Sequence, residues 1–308
     1  MEELKEMIHK TPDMFNSIIG TGCGHRWMEY TWRDVVLYAV SCGATRDDLQ
    51  YIYEKVPGGL KALPTFGVLP YINTIMMNPP TKEPYGPNEI LVNFIKACLG
   101  GKFSNRLHMA QEIFIHRPID AMKGTFITED KVEGVYDWSD RGVVGIMSQE
   151  VMDGAGNLVC TLKGTHWHKA LGHFGGEKYE SPKVDYPERT PDYDVSEYLA
   201  ENQAILYRLC GDTYQVHIDP EVSGGRGYDA PFMQGLGTLG YAVRMGIQTI
   251  IPYQSERVTH LYAQMRKVCI PGQRVRFVGW TVKTGTVHFK LLDDNGGILL
   301  GNGIFEYK

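Results

Sequence analysis

Apolar and polar positions along this chain follow one programme written twice. Near residue 37 the sequence reads Leu37-Tyr38-Ala39-Val40-Ser41-Cys42-Gly43-Ala44-Thr45. Near residue 206 it reads Leu206-Tyr207-Arg208-Leu209-Cys210-Gly211-Asp212-Thr213, the same string one residue shorter. The spacing of apolar residues predicts that each string closes a short amphipathic helix. A capping-box pattern stands ahead of each, Thr31-Trp32-Arg33-Asp34 in the first copy and Asp194-Val195-Ser196-Glu197 in the second, which predicts where the two helices open. Pro64-Thr65-Phe66-Gly67-Val68 then starts an apolar segment, as Pro231-Phe232-Met233-Gln234-Gly235-Leu236 does later. The later segment has the pattern of a loop entering a helix of about 15 residues.

The period then changes to that of strands. Val143 to Val151 and Leu158 to Trp167 flank Asp153-Gly154-Ala155-Gly156-Asn157, and Thr286 to Leu292 and Ile298 to Phe305 flank Asp293-Asp294-Asn295-Gly296-Gly297. Gly, Asn and Asp clusters between β-branched and aromatic runs are hairpin signals. Gly175 to Thr190 is polar, with Pro182, Pro187 and Pro191, and reads as a linker. Each half is thus expected to run helix, loop, longer helix, antiparallel strands: an α+β layer with a sheet curled around its own long helix. Strand edges left by one copy are best covered by pairing with the other. The expected units are residues 1–174, a linker at 175–191, and residues 192–308.

The two copies differ where chemistry is concerned. Ala44 stands where the second copy has Asp212, and Arg46, Asp47 and Asp48 stand where it continues to His217 and Asp219. A carboxylate and an imidazole five residues apart on a helix-exit loop can hold one water, one orienting it and the other moving its proton. Spacing alone equally suits a capping or solvated pair. The other requirement of water addition to a conjugated thioester is a donor for the oxygen that gathers negative charge. Gly235, at the expected start of the long helix, offers an N–H at the positive end of the helix dipole with no side chain in the way. Gly237 and Gly240 are read as helix-packing positions.

Composition narrows the classes. The formal net charge of −5 over 308 residues gives no basic face for a nucleic-acid partner. No run of 18 apolar residues suggests a membrane partner. Met1 to Lys10 lacks the apolar stretch of a secretory signal, and Phe305-Glu306-Tyr307-Lys308 is not a peroxisomal address. Cysteines at 23, 42, 98, 160, 210 and 269 form no CxxC pair, a pattern of reduced thiols in the cytoplasm.

Tyr207-Arg208-Leu209-Cys210-Gly211-Asp212, followed by His217-Ile218-Asp219-Pro220, resembles the signature of the MaoC-like (R)-specific enoyl-CoA hydratases (hydratase 2), in particular the hydratase unit of peroxisomal multifunctional enzyme type 2. Tyr30-Thr31, Asp34-Val35, Gly43-Ala44, Asp48-Leu49, Ile52-Tyr53-Glu54, Leu63 to Val68, Phe174-Gly175-Gly176, Asn202-Gln203-Ala204, Gly235-Leu236 and Thr238-Leu239-Gly240 extend the resemblance over nearly the whole chain. The resemblance implies a double hot-dog fold and a homodimer that hydrates trans-2-enoyl-CoA to (R)-3-hydroxyacyl-CoA without cofactor or metal. Its N-terminal half would have lost the catalytic residues and would make room for a bulky acyl chain. By motif, Asp212 and His217 would hold the water and exchange protons, and the Gly235 N–H would receive the thioester oxygen. Thr213, Tyr214, Gln215, Val216 and Gln234 would line the substrate site, and Glu54 matches an acidic residue important in the family. Glu54 is otherwise a partner for Lys55 or Arg46. Leu107-His108-Met109-Ala110-Gln111 loosely resembles a CoA-contacting stretch; Arg141 would meet a phosphate and Met265 would line the acyl pocket.

Three positions depart from the family pattern. The usual Asn and Pro after the catalytic Asp are Tyr214 and Gln215, and the usual His before the oxyanion glycine is Gln234. Tyr214 in place of an anchoring Asn implies an altered, ring-bearing or branched substrate. Two further readings stay open: a non-catalytic acyl-CoA-binding partner and a hot-dog thioesterase. Thr165-His166-Trp167-His168 lacks a third ligand at metal spacing and is expected on a surface strand. Gly224-Gly225-Arg226-Gly227 has neither the lysine nor the spacing of a phosphate loop. Cys210 has no histidine arranged to activate it and is read as a packing residue.

Overall fold

The structure is a computed structural model and describes residues 16–20, 22–76, 106–169 and 172–308. In the first half, β1 (Gly22–Thr31) leads into α1 (Trp32–Ser41), the short α2 (Leu49–Ile52), and a 3-10 turn (Pro64–Val68) opening α3 (Leu69–Met76). Strands β2 (Arg106–Ile115), β3 (Lys123–Asp137), β4 (Val143–Asp153) and β5 (Leu158–His168) follow. The second half repeats this: β6 (Tyr193–Leu199), α4 (Gln203–Leu209), α5 (Pro220–Gly224), α6 (Gly235–Ile250), β7 (Val258–Met265), β8 (Gln273–Lys283), β9 (Thr286–Leu292) and β10 (Ile298–Tyr307).

All ten strands form one sheet in the order β1-β3-β4-β5-β2-β7-β10-β9-β8-β6. Either side of the β2–β7 junction the order is the same read outwards, so the halves are related by a pseudo-two-fold at that ladder. The ladder is antiparallel from Ala110↔Gln264 to Phe114↔His260. It satisfies the edge each half would otherwise leave open. The His260 ring lies between Glu112 of β2 (2.9 Å) and Glu306 of β10 (3.1 Å), tying the halves at the same seam.

The long helix α6 is buried on every side from Leu236 to Ile247, which a helix becomes only when sheet and neighbouring helices surround it. Small residues permit that approach. A Cβ on Gly240 would stand 2.5 Å from Cys42 Sγ and 3.0 Å from the Tyr38 hydroxyl, and one on Gly237 2.9 Å from the Tyr207 ring. The expected packing role of both glycines is met. At the helix centre, Arg244 is only 2% exposed. It pairs with Glu197 and donates to Gln248 (2.8 Å) and to the Cys42 carbonyl at the end of α1 (2.9 Å). This cation therefore meets the negative end of the first half's helix dipole and locks one half to the other. Glu197→Ala would strand the guanidinium; because Glu197 is partly exposed and water can reach the gap, the expected loss is about 2–3 kcal/mol. A urea midpoint unchanged in Glu197→Ala would show the pair to be incidental.

The capping box at Thr31 forms as expected, with the Asp34 carboxylate accepting the Thr31 N–H at 2.8 Å and its hydroxyl at 2.9 Å. The one expected at Asp194-Val195-Ser196-Glu197 does not. Those residues lie in β6, paired with β8 from Tyr193↔Gly279 to Leu199↔Gln273, and α4 starts only after Asn202. Alternation of Tyr193, Val195, Glu197 and Leu199 on one face supplies a ladder, and Arg276 across it takes Asp194 (2.7 Å). A capping-like quartet cannot outweigh seven paired residues. The expected order also lacked a first strand in each half, β1 and β6.

A further correction concerns Thr165-His166-Trp167-His168. This is an interior strand between β4 and β2, and His166 and His168 are buried, 1% and 7% exposed. His166 stacks on His108 at 4.7 Å and shares a 3.0 Å hydrogen bond with the Tyr71 hydroxyl. Among the described residues no group of three metal-binding side chains converges. Cys42, Cys160, Cys210 and Cys269 are free and buried, while Cys98 lies outside the described residues.

Candidate active site

The site is built where α4 ends. Gly211, at φ 131°, takes the chain out of the helix in a backbone conformation that suits glycine. Gly43 does the same at φ 86° in the first copy, where a Cβ would enter the Tyr241 ring. After Gly211 comes Asp212, one carboxylate oxygen of which accepts the Tyr214 N–H at 3.3 Å. A single 3-10 turn, Gln215–His217, then swings the imidazole back toward that carboxylate. The exit is pinned by Asp219, which caps α5 through Glu221 N (2.9 Å) and Val222 N (3.3 Å), with Pro220 at the first helical position.

His217 Nδ1 lies 2.8 Å from the Phe232 carbonyl. A carbonyl only accepts, so Nδ1 carries the proton and Nε2 keeps its lone pair. The Phe232 ring meets His217 edge to face at 5.0 Å, and the Tyr214 ring does so at 6.1 Å. Phe232 belongs to the segment that delivers the start of α6, so one short stretch of chain both orients the His217 ring and places Gly235. As the first residue of α6, Gly235 has an N–H with no acceptor in its own helix. A Cβ there would stand 3.4 Å from Met265 Cγ, which puts Met265 directly against the helix mouth.

Burial sets the electrostatics. It raises the Asp212 carboxyl above its ordinary 3.8, with His217 partly opposing the shift. It also lowers the His217 imidazole below its ordinary 6.5, with Asp212 opposing and Arg226 reinforcing. The two groups therefore feel one another while both resist charge. A neutral imidazole beside a hard-to-ionise carboxyl can polarise a water and pass a proton either way.

The remaining predicted residues fall in different places. Thr213 and Tyr214 are partly buried on the loop between Asp212 and His217, Gln215 is exposed, and Val216 is buried. Gln234 is fully buried with its amide donating to the Ala204 carbonyl at 3.3 Å. Its side chain thus braces α4 against α6, and its place in the site is through the backbone. Met109 falls at an irregularity of β2, between His108 and Ala110 in the register with β5, next to the Ala110↔Gln264 pair that begins the β2–β7 ladder. His108 is held by its 2.9 Å hydrogen bond to the Ala110 carbonyl and by the His166 stack. Arg141 is exposed in the β3–β4 turn, its guanidinium 4.8 Å over Trp138. β4 is three strands from the strand of Met265, roughly 14 Å at the usual spacing. Glu54 follows α2, partly buried; Arg46, one expected partner, faces Asp47 at 3.9 Å. Sequence reasoning missed Phe232, whose carbonyl selects the histidine tautomer, because a backbone acceptor leaves no mark in residue type. It also gave no role to Arg226, 4.9 Å over the Tyr214 ring, which in the sequence stands only within a pattern that fails as a phosphate loop.

Residues 28–169 match the MFE-2 hydratase 2 N-terminal domain, and residues 182–293 match the MaoC like domain. A Dictyostelium discoideum protein named "Probable enoyl-CoA hydratase 2" is 27% identical over 89% of this chain and 90% of its own length. The Drosophila melanogaster peroxisomal multifunctional enzyme type 2 is 31% identical over 84% of this chain, which spans 42% of that longer protein. The crystal structure of a MaoC-like dehydratase from Phytophthora capsici superposes with a TM-score of 0.81 at 25% identity, covering 95% of this chain and 98% of the other. A Mycobacterium tuberculosis protein described as a double hotdog fold superposes at 0.56 with 12% identity and shares the fold alone.

Proposed function

The chain belongs to the MaoC-like hydratase 2 family, an MFE-2 hydratase 2 N-terminal domain followed by a MaoC-like domain, and on that premise we propose that it hydrates trans-2-enoyl-CoA to (R)-3-hydroxyacyl-CoA or runs the reverse dehydration. The observation that carries this reading is the convergence of Asp212 and His217 at the start of α6. A water between the Asp212 carboxylate and His217 Nε2 gives its proton to the imidazole as its oxygen bonds to C3 of the enoyl group. Charge moves to the thioester oxygen, where the Gly235 N–H and the helix dipole stabilise it. The proton returns from the pair to C2, so one water is added and no redox partner is needed. The same residues in reverse order remove it.

The reading extends to a bulky, branched or ring-bearing acyl group, accommodated by the N-terminal half of the chain, residues 1–174, joined through 175–191 to the catalytic unit at 192–308. It also includes a cytoplasmic homodimer, which gel filtration and localisation of the tagged protein test. No described helix is long and apolar enough to cross a membrane, and several relatives carry "peroxisomal" in their names.

Incubation with short, long, branched and ring-bearing 2-enoyl-CoAs, followed by mass spectrometry, tests the reaction. The expected product gains one water. Binding without any gain would favour the acyl-CoA-binding alternative, and release of free CoA thiol would indicate thioester hydrolysis.

The pH dependence has a defined sign. The working form has a neutral His217 and an ionised Asp212, so activity is lost when either takes a proton. His217 lies below 6.5 and Asp212 above 3.8. Because burial raises Asp212, the acid limb of kcat/KM, which reports the pair as a unit, is expected above the range of an ordinary carboxyl. A limb in the ordinary carboxyl range would contradict a buried Asp212 that resists ionisation.

A further inference from the structure

We infer that Arg226, laid across Tyr214 beside His217, selects 2-enoyl thioesters whose acyl chain carries a carboxylate. This deepens the hydratase reading and rests on it. Three observations lead there.

The guanidinium carbon of Arg226 stands 4.9 Å from the Tyr214 ring centre, and that ring stands 6.1 Å from the His217 ring. The cation is therefore within about 11 Å of the imidazole centre. It is exposed, and no ion pair among the described residues involves it. Stacking on an aromatic face fixes the plane of a guanidinium and leaves its N–H edge to meet a carboxylate with two parallel hydrogen bonds. Arg226 is also the cation that acts on His217, so an anion bound to it is electrically coupled to the base.

The anion could come from either end of a CoA thioester. In CoA about thirteen bonds separate the thioester sulfur from the first phosphorus, the backbone length of just over four residues, so roughly 15 Å when extended at about 3.5 Å per residue. Arg226 lies within about 11 Å of the imidazole centre, short of that extended reach, which favours a carboxylate on the acyl side beyond C3. Such a substrate would be a mono-CoA thioester of an unsaturated dicarboxylic acid.

The test measures kcat/KM for two 2-enoyl-CoAs of equal chain length, one ending in a carboxylate and one in its methyl ester, in the wild type, Arg226→Met and Arg226→Lys. The expected result is that the wild type prefers the carboxylate, that Arg226→Met lowers the preference at least ~10-fold, and that Arg226→Lys restores part of it. The same pair as N-acetylcysteamine thioesters, which lack phosphates, should show the same loss. An equal loss on both CoA substrates that vanishes with the truncated thioesters would assign Arg226 to a CoA phosphate and overturn the proposal. Water gained on both substrates with no preference in the wild type would overturn it while leaving the hydratase standing. Water gained on neither would remove both readings together.

Discussion

Asp212→Asn is expected to lower kcat on 2-enoyl-CoA by roughly 10²–10⁴-fold while the folded protein becomes no less stable. The amide keeps the shape of the carboxyl and an oxygen for the Tyr214 N–H, now at 3.3 Å. It cannot take the charge that orients the water and balances a protonated His217. Stability should move the other way. Burial raises the Asp212 carboxyl, so the folded state binds its proton more readily than the unfolded chain. That group therefore costs stability once the pH passes its unfolded value, and its neutral replacement relieves the cost at neutral pH. His217→Ala should lose a similar factor, and the double variant should be little worse than either single one, because two groups on one water act as a unit. Steady-state kinetics and thermal melts on the same preparations check this. A large rate loss accompanied by a large drop in melting temperature would point to a structural pair instead.

Gly235→Pro should lower kcat by roughly 10²–10³-fold, the usual worth of one oxyanion donor. The substitution is unusually clean for a backbone group. Proline is at home at the first position of a helix, and the residue before it must be extended, as Gln234 already is at φ −56°, ψ 141°. The fold therefore has no reason to object, yet the N–H is gone and ring carbon occupies its place. Gly235→Ala is the control: its Cβ meets Met265 Cγ at 3.4 Å, an ordinary contact, and the N–H remains. Circular dichroism confirms the helix, and a stopped assay with one enoyl-CoA compares the three proteins. Equal rates in Pro and Ala variants would move the oxyanion site elsewhere.

Much of this was legible in the chain itself. The repeated string at 37–45 and 206–213 announced two copies of one unit, because helix exits with a glycine in a left-handed turn leave a recognisable mark, and both Gly43 and Gly211 have positive φ. The hairpins about Asp153 and Asp293 were equally plain, since their turn residues are dictated by local backbone geometry. Asymmetry between Ala44 and Asp212 is what points the proposed chemistry to the second copy. What failed was the start of each half: Asp194 to Glu197 carries a helix-opening pattern, and nothing within four residues says that β8 will claim it.

The sequence by itself determined the duplicated α+β architecture, the acid and imidazole on one loop, and the glycine that opens the long helix, because each depends on residues within a turn or two of one another. Only the tertiary structure decided the rest. It brought the Phe232 carbonyl onto His217 across 15 residues, Met265 onto Gly235 across 30, and the Cys42 carbonyl onto Arg244 across 202. It also turned Thr165 to His168 from an expected surface strand into a buried one. Burial, which shifts both Asp212 and His217, is a property of what packs on a residue from distant parts of the chain, and no local pattern encodes it.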